Sequence, residues 1–110
     1  MAKRPEGPEV GLCTGKDCRR ADGFRTVQRE LGRACTVVEL GCLDVCDGVV
    51  VVIDPRSPES VVLERISNRA LALDVVDHVV DDAPLSDRLR KRRLSGTKRA
   101  KARRRVGRSL

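Results

Sequence analysis

Apolar positions change their period several times along this chain, and each change marks a predicted element. Val10-Gly11-Leu12 leads into Cys13 as a short strand, which ends in the loop Cys13-Thr14-Gly15-Lys16-Asp17-Cys18. Phe24, Val27 and Leu31 then recur at i, i+3 and i+7, one face of a helix expected from about Arg19 to Leu31. Asp17 or Asp22 is placed to cap its start and Gly32 to stop it, while Gly23 inside it costs about 1 kcal/mol relative to alanine. Cys35-Thr36-Val37-Val38-Glu39-Leu40 is rich in β-branched residues and predicts a second strand. The unbroken run Val49-Val50-Val51-Val52-Ile53 predicts a strand buried on both faces. A turn at Asp54-Pro55-Arg56-Ser57-Pro58 returns the chain as Val61-Val62-Leu63. Ser67 is placed to cap a last helix, with Leu71, Val75, Val76, Val79 and Val80 as its core stripe.

The predicted order is β-α-β followed by β-β-α. A strand–helix–strand crossover joins parallel strands with a right-handed sense, and the hairpin adds two antiparallel strands. The expected fold is therefore α/β, a small mixed four-stranded sheet with helices packed on it, close to the thioredoxin plan. The expected organisation is a loose leader over residues 1–8, one domain over 9–82 and a basic tail over 83–110. In this arrangement Cys13 and Cys18, and Cys42 and Cys46, lie in loops just past strand ends, and such loops can share one end of the sheet.

Charge alters this picture only at the carboxyl end. The net charge is +7 over 110 residues, but from Arg88 onward there are 12 Lys or Arg and no acid. The preceding 87 residues hold the other 11 basic residues and all 16 acids, or −5. An acidic body thus carries a strongly basic segment, expected to be disordered or helical and too charged to fold alone. Its functional readings are nonspecific binding of nucleic acid or docking on an acidic partner. Phe24 is the one aromatic residue and a core candidate, so a base-stacking surface is not expected. Met1 to Glu6 is charged without a following apolar run, and no stretch approaches the roughly 20 apolar residues of a membrane span. A cytoplasmic location is expected, and no membrane partner.

Five cysteines in that compartment point to metal or redox chemistry before structural disulfides. Cys13 and Cys18 are spaced C-x4-C, and Cys42 and Cys46 C-x3-C. A [2Fe–2S] rhomb requires two soft thiolates on each iron, and two loops each carrying a pair meet that need. The spacing also admits a structural zinc ion, a dithiol/disulfide switch or unliganded thiols. Lys16, Arg19 and Arg20 flank the first loop, the predicted helix start favours thiolate at Cys18, and Gly15, Gly41 and Gly48 allow close approach of backbone amides to sulfur. Cys35 opens a strand and is expected to be a buried, inert thiol. His78, beside Val75, Val76 and Val79, is expected at a surface or half-buried helix position, and Asp74, Asp77, Asp81 and Asp82 on a solvated face. No acid/base constellation is visible and there is no C-x2-C pair, so the chain is not expected to be an enzyme.

The runs Cys13-Thr14-Gly15-Lys16-Asp17-Cys18-Arg19 and Cys42-Leu43-Asp44-Val45-Cys46-Asp47-Gly48-Val49 resemble the thioredoxin-like [2Fe–2S] ferredoxins, which include a subunit of the flavin arm of respiratory complex I. The resemblance covers roughly residues 9–80. It implies a thioredoxin-like fold, a [2Fe–2S] cluster on Cys13, Cys18, Cys42 and Cys46, and one-electron transfer to a redox partner protein. Two departures accompany it: Asp44 stands where members often have glycine, and Gly48-Val49 where proline often follows the last cysteine. A zinc-stabilised module that binds nucleic acid or an acidic partner through its tail is the alternative reading, and a cluster that senses oxygen or redox state is a third. The oligomeric state is left open, a homodimer included.

Overall fold

The computed structural model describes residues 8–43 and 48–110. Four strands, β1 (Glu9–Cys13), β2 (Thr36–Leu40), β3 (Val51–Ile53) and β4 (Val61–Leu63), form one sheet in the order β2-β1-β3-β4. β1 and β2 run parallel with Cys13 opposite Leu40, whereas β3 is antiparallel to both β1 and β4. The helices are α1 (Lys16–Arg20), α2 (Phe24–Ala34), α3 (Arg69–Val80), α4 (Asp87–Arg90) and α5 (Gly96–Ser109). The mixed four-stranded α/β sheet matches expectation, while the element order is β-α-α-β, then β-β-α-α-α.

Strand alternation divides the core into two layers. Val10, Leu12, Val49, Val51, Ile53 and Leu63 face α2 and α3, where they meet Phe24, Val27, Leu31, Leu71, Ala72 and Val75. The alternate positions Cys13, Leu40, Val50, Val52 and Val62 join Leu94, Ala102 and Val106 on the opposite face. All of residues 49–53 are buried, as the unbroken apolar run predicts. The period-2 pleat makes every other side chain of such a run serve a different layer.

The basic segment is not an appendage. Leu94 N–H donates to the Val62 carbonyl (2.9 Å) and Glu64 N–H to the Arg92 carbonyl (2.9 Å), so residues 92–94 cover the open edge of β4. α5 then crosses the second face, burying Ala102 and Val106. The expected division at residue 83 accordingly does not divide the core. The physical reason is that Leu89, Leu94, Ala102 and Val106, sparse among the arginines, are all buried. A face holding Val50, Val52 and Val62 gives Leu94, Ala102 and Val106 the apolar partner that the segment lacks by itself, and Leu89 packs in the layer of α2 and α3.

Other differences are local. The helix expected over 19–31 is two helices, because Gly23 adopts φ 86° as the residue before α2. A side chain there would place Cβ 2.0 Å from the Ser67 carbonyl oxygen. Neither Asp17 nor Asp22 is an N-cap; Gly15 and Gly23 occupy those positions. Gly32 lies inside α2, which continues to Ala34. Asn68 rather than Ser67 caps α3, its side chain accepting from Leu71 N–H (2.9 Å). In that helix Leu71 and Val75 are buried, Val76 and Val79 pack at the core margin, and Val80 is exposed. Asp74 does not sit on a solvated face. It accepts from Ser86 Oγ (2.9 Å) and from Arg88 Nε and Nη2 (3.1 Å each), tying α4 to α3.

Candidate metal centre

Parallel strands end on the same side of a sheet, and this brings the cysteine loops together. Cys13 is the last residue of β1, in register with Leu40, the last residue of β2; Cys42 follows two residues later. Thr14 continues the pairing, its N–H (2.8 Å) and Oγ1 (2.7 Å) both donating to the Leu40 carbonyl. Gly15 comes next, directly against Cys42. A Cβ on Gly15 would lie 2.9 Å from Cys42 Cβ, 3.0 Å from its Cα and 3.3 Å from its Sγ. Only glycine lets the two loops approach this closely.

Beyond Gly15 the chain turns into α1, which carries Cys18 at its third residue. The Cys13 thiol donates to the Gly41 carbonyl (3.7 Å) and the Cys18 thiol to the Gly48 carbonyl (3.4 Å). The first cysteine loop therefore touches both ends of the segment that contains Cys42 and Cys46. The sequence led us to expect backbone amides from Gly41 and Gly48 near sulfur; these two contacts are made by carbonyls. Cys46, with Asp44 and Asp47, lies outside the described residues. Among the described residues, no group of three or more His, Cys, Asp or Glu side chains is disposed to hold a metal ion.

The environment of the described cysteines is graded. Cys13 and Cys18 are fully buried in the apolar layer under α5, and Cys42 is exposed. Lys16, Arg19 and Arg20 are exposed around the first loop. Ser109, at the end of α5, accepts from Gly41 N–H (3.1 Å), a contact across 68 residues that no sequence pattern signals. Cys35 is buried on the other layer with Leu31 and Phe24, away from this end, and burial pushes its thiol up from the ordinary range. His78 is half-buried on α3, with Nδ1 2.6 Å from the Ala83 carbonyl, to which it donates. No helix among the described residues is long and apolar enough to cross a membrane.

Set against family models, curated proteins and solved structures, the chain matches none.

Proposed function

We propose that the chain is a small iron–sulfur protein of thioredoxin-like type, in which Cys13, Cys18, Cys42 and Cys46 hold one [2Fe–2S] cluster for one-electron transfer to a redox partner protein. The observation that carries this reading is the contact of the two cysteine loops across Gly15, at the common end of β1 and β2. Cys42 then belongs to the same end of the molecule as Cys13 and Cys18, which lie 24 residues or more before it in the chain. Their donor set suits the group: soft thiolates, two available to each iron, from two separate loops.

When bound, the cluster supplies reversible one-electron exchange. The chain's own contribution is to position and shield. Burial of Cys13 and Cys18 beneath Ala102 and Val106 keeps water from one side of the site, whereas exposed Cys42 leaves the other side open to a partner. Lys16, Arg19 and Arg20 bring positive charge to an anionic centre. Solvent access and neighbouring charge are two of the levers by which a protein sets reduction potential.

The test is anaerobic purification followed by iron, zinc and acid-labile sulfide analysis. The expected protein is red-brown, with two irons and two sulfides per chain in the [2Fe–2S] stoichiometry, absorption between about 400 and 550 nm, and an EPR signal only after reduction. Alanine at Cys13 or Cys18 is expected to abolish that spectrum, and alanine at Cys35 to leave it intact. A colourless protein with one zinc ion and no sulfide overturns the proposal.

A further inference from the structure

α5 has one face against the sheet and another covered in positive charge, and the electron-carrier reading uses only the first. Lys101, Arg104 and Arg108, at i, i+3 and i+7, are exposed along a single stripe that Thr97 extends at its amino end. Beside this stripe, α5 and the β3–β4 turn enclose an open groove of about 700 Å³, lined among others by Arg56, Ser57, Pro58, Arg103, Arg104 and Gly107. Arg56, which is paired with Glu9 (2.7 Å), comes from a different part of the chain, and the packing of α5 on the second face brings it to the tail arginines. Arg103, Arg104 and Arg108 form no ion pair with any described residue, whereas Arg88 and Lys98 are engaged by Asp74 and Glu64 of the body. The basic segment therefore divides into residues that fasten it to the body and residues left to face an anion.

We infer that the outer face of α5 with its adjoining groove binds the phosphate backbone of double-stranded nucleic acid. Fourteen residues of helix extend roughly 21 Å at about 1.5 Å per residue. A duplex presents one charge per about 1.7 Å over such a length, so basic residues recurring about every 5.4 Å along one helix face can each meet a phosphate without exhausting those available. Arginine dominates lysine nine to three from Arg88 onward, and its planar fork fits phosphate oxygens bidentately. An acidic protein surface is the competing occupant, since interface anchors include Arg as well as aromatic side chains. The stripe at 97, 101, 104 and 108 offers no aromatic or aliphatic anchor, but Pro55, Pro58 and Leu110 line the adjoining groove, so competition by an acidic peptide decides between the two. Single strands are disfavoured because stacking needs aromatic side chains, and Phe24 is buried on the opposite layer. Backbone contacts of this kind hold without reading sequence.

The test is fluorescence anisotropy of a labelled 20-base-pair duplex of mixed sequence, titrated with the full chain over a salt series. The double variant Arg103→Ala/Arg104→Ala is expected to weaken binding at least fivefold at low salt and to reduce the salt slope by about 1.8, at roughly 0.9 per phosphate contact. Arg25→Ala/Arg29→Ala removes the same charge from exposed positions of α2, on the far side of the sheet, and is expected to change affinity less than twofold. Thermal melts of both variants establish that each is folded. Equal losses in the two variants would reduce the effect to net charge and overturn the inference. So would no binding at 50 mM salt, taken as an order-of-magnitude low-salt limit (~50 mM), or displacement of the duplex by a poly-glutamate peptide at equal charge concentration. None of these readouts depends on the metal content of the protein.

Discussion

Two glycines nine residues apart in the same stretch of chain act in opposite ways. Gly23 takes φ 86° and has the Ser67 carbonyl where a Cβ would be, so Gly23→Ala meets both strain and a backbone clash. It is expected to lower the unfolding free energy by about 2–3 kcal/mol in urea titration. Gly32 lies inside α2 with nothing within 4 Å of a Cβ, and Gly32→Ala is expected to raise it by about 0.5–1 kcal/mol. Cys35 adds a pH signature. Burial raises its folded-state pKa, so the unfolded chain loses the thiol proton first as pH increases. The stability associated with the protonated thiol is intact below the ordinary thiol pKa and declines above it. Wild-type stability relative to Cys35→Ala should therefore be constant near neutral pH and fall from about pH 8.5 upward in denaturant melts. A difference that stayed flat through that range would remove the burial argument. These positions also show what was legible residue by residue. Cys35 as a buried thiol followed from its place at a strand start. The left-handed Gly23 did not, because nothing local announces that Ser67 will arrive beside it.

At the scale of elements, the basic segment is held by specific polar contacts as well as by packing. Asp74, with 17% of its side chain exposed, receives hydrogen bonds from Ser86 Oγ and Arg88, while Ser86 also accepts from Leu89 N–H to cap α4. Asp74→Ala removes the acceptor of both partners. Because the Arg88 side chain is 57% exposed, most of the cost comes from the hydroxyl and the cap, about 1 kcal/mol. Hydrogen exchange is the sensitive measurement: amides of α4 and of residues 92–94 should exchange faster, while those of β1 and β3 keep their protection. Uniform loss of protection would mean that Asp74 supports the whole core rather than this junction. Sequence periodicity placed Asp74 on a polar helix face, and correctly so for an isolated α3. Its partners lie 12 and 14 residues ahead, in a segment that the charge pattern had separated from the domain.

For the molecule as a whole, α5 connects the candidate metal centre to the fold. Val106 and Ala102 share an apolar layer with Cys13 and Cys18, and Ser109 reaches Gly41 beside Cys42. Val106→Ala is expected to cost about 2 kcal/mol in thermal or denaturant unfolding, the combined effect of lost transfer and a residual cavity. With the proposed cluster in place, the same variant should lose its visible absorption faster in air than the parent protein. Unchanged cluster lifetime alongside the lowered stability would show that α5 supports the sheet without shielding the site. The charge distribution belongs to this scale too. A body of −5 carries a segment of +12, and the fold places several of those charges against acids while leaving Arg104 and Arg108 exposed.

What the sequence determined by itself was the four strands with their order, the helical face at Phe24, Val27 and Leu31, and α3. Apolar period reports directly on which backbone geometry buries a stretch, so the two central strands, the hairpin and α3 were all visible as patterns. Parallel pairing of β1 and β2 followed from connectivity, and with it the expectation that the cysteine loops share one end. Tertiary structure alone decided three things: the carbonyl neighbours of Cys13 and Cys18, the break at Gly23, and the folding of the arginine-rich segment over β4 and the second face. Each depends on a residue distant in the chain arriving at a particular place. Burial of four apolar side chains among twelve positive ones becomes favourable only when a sheet face and an open strand edge are already there to receive them.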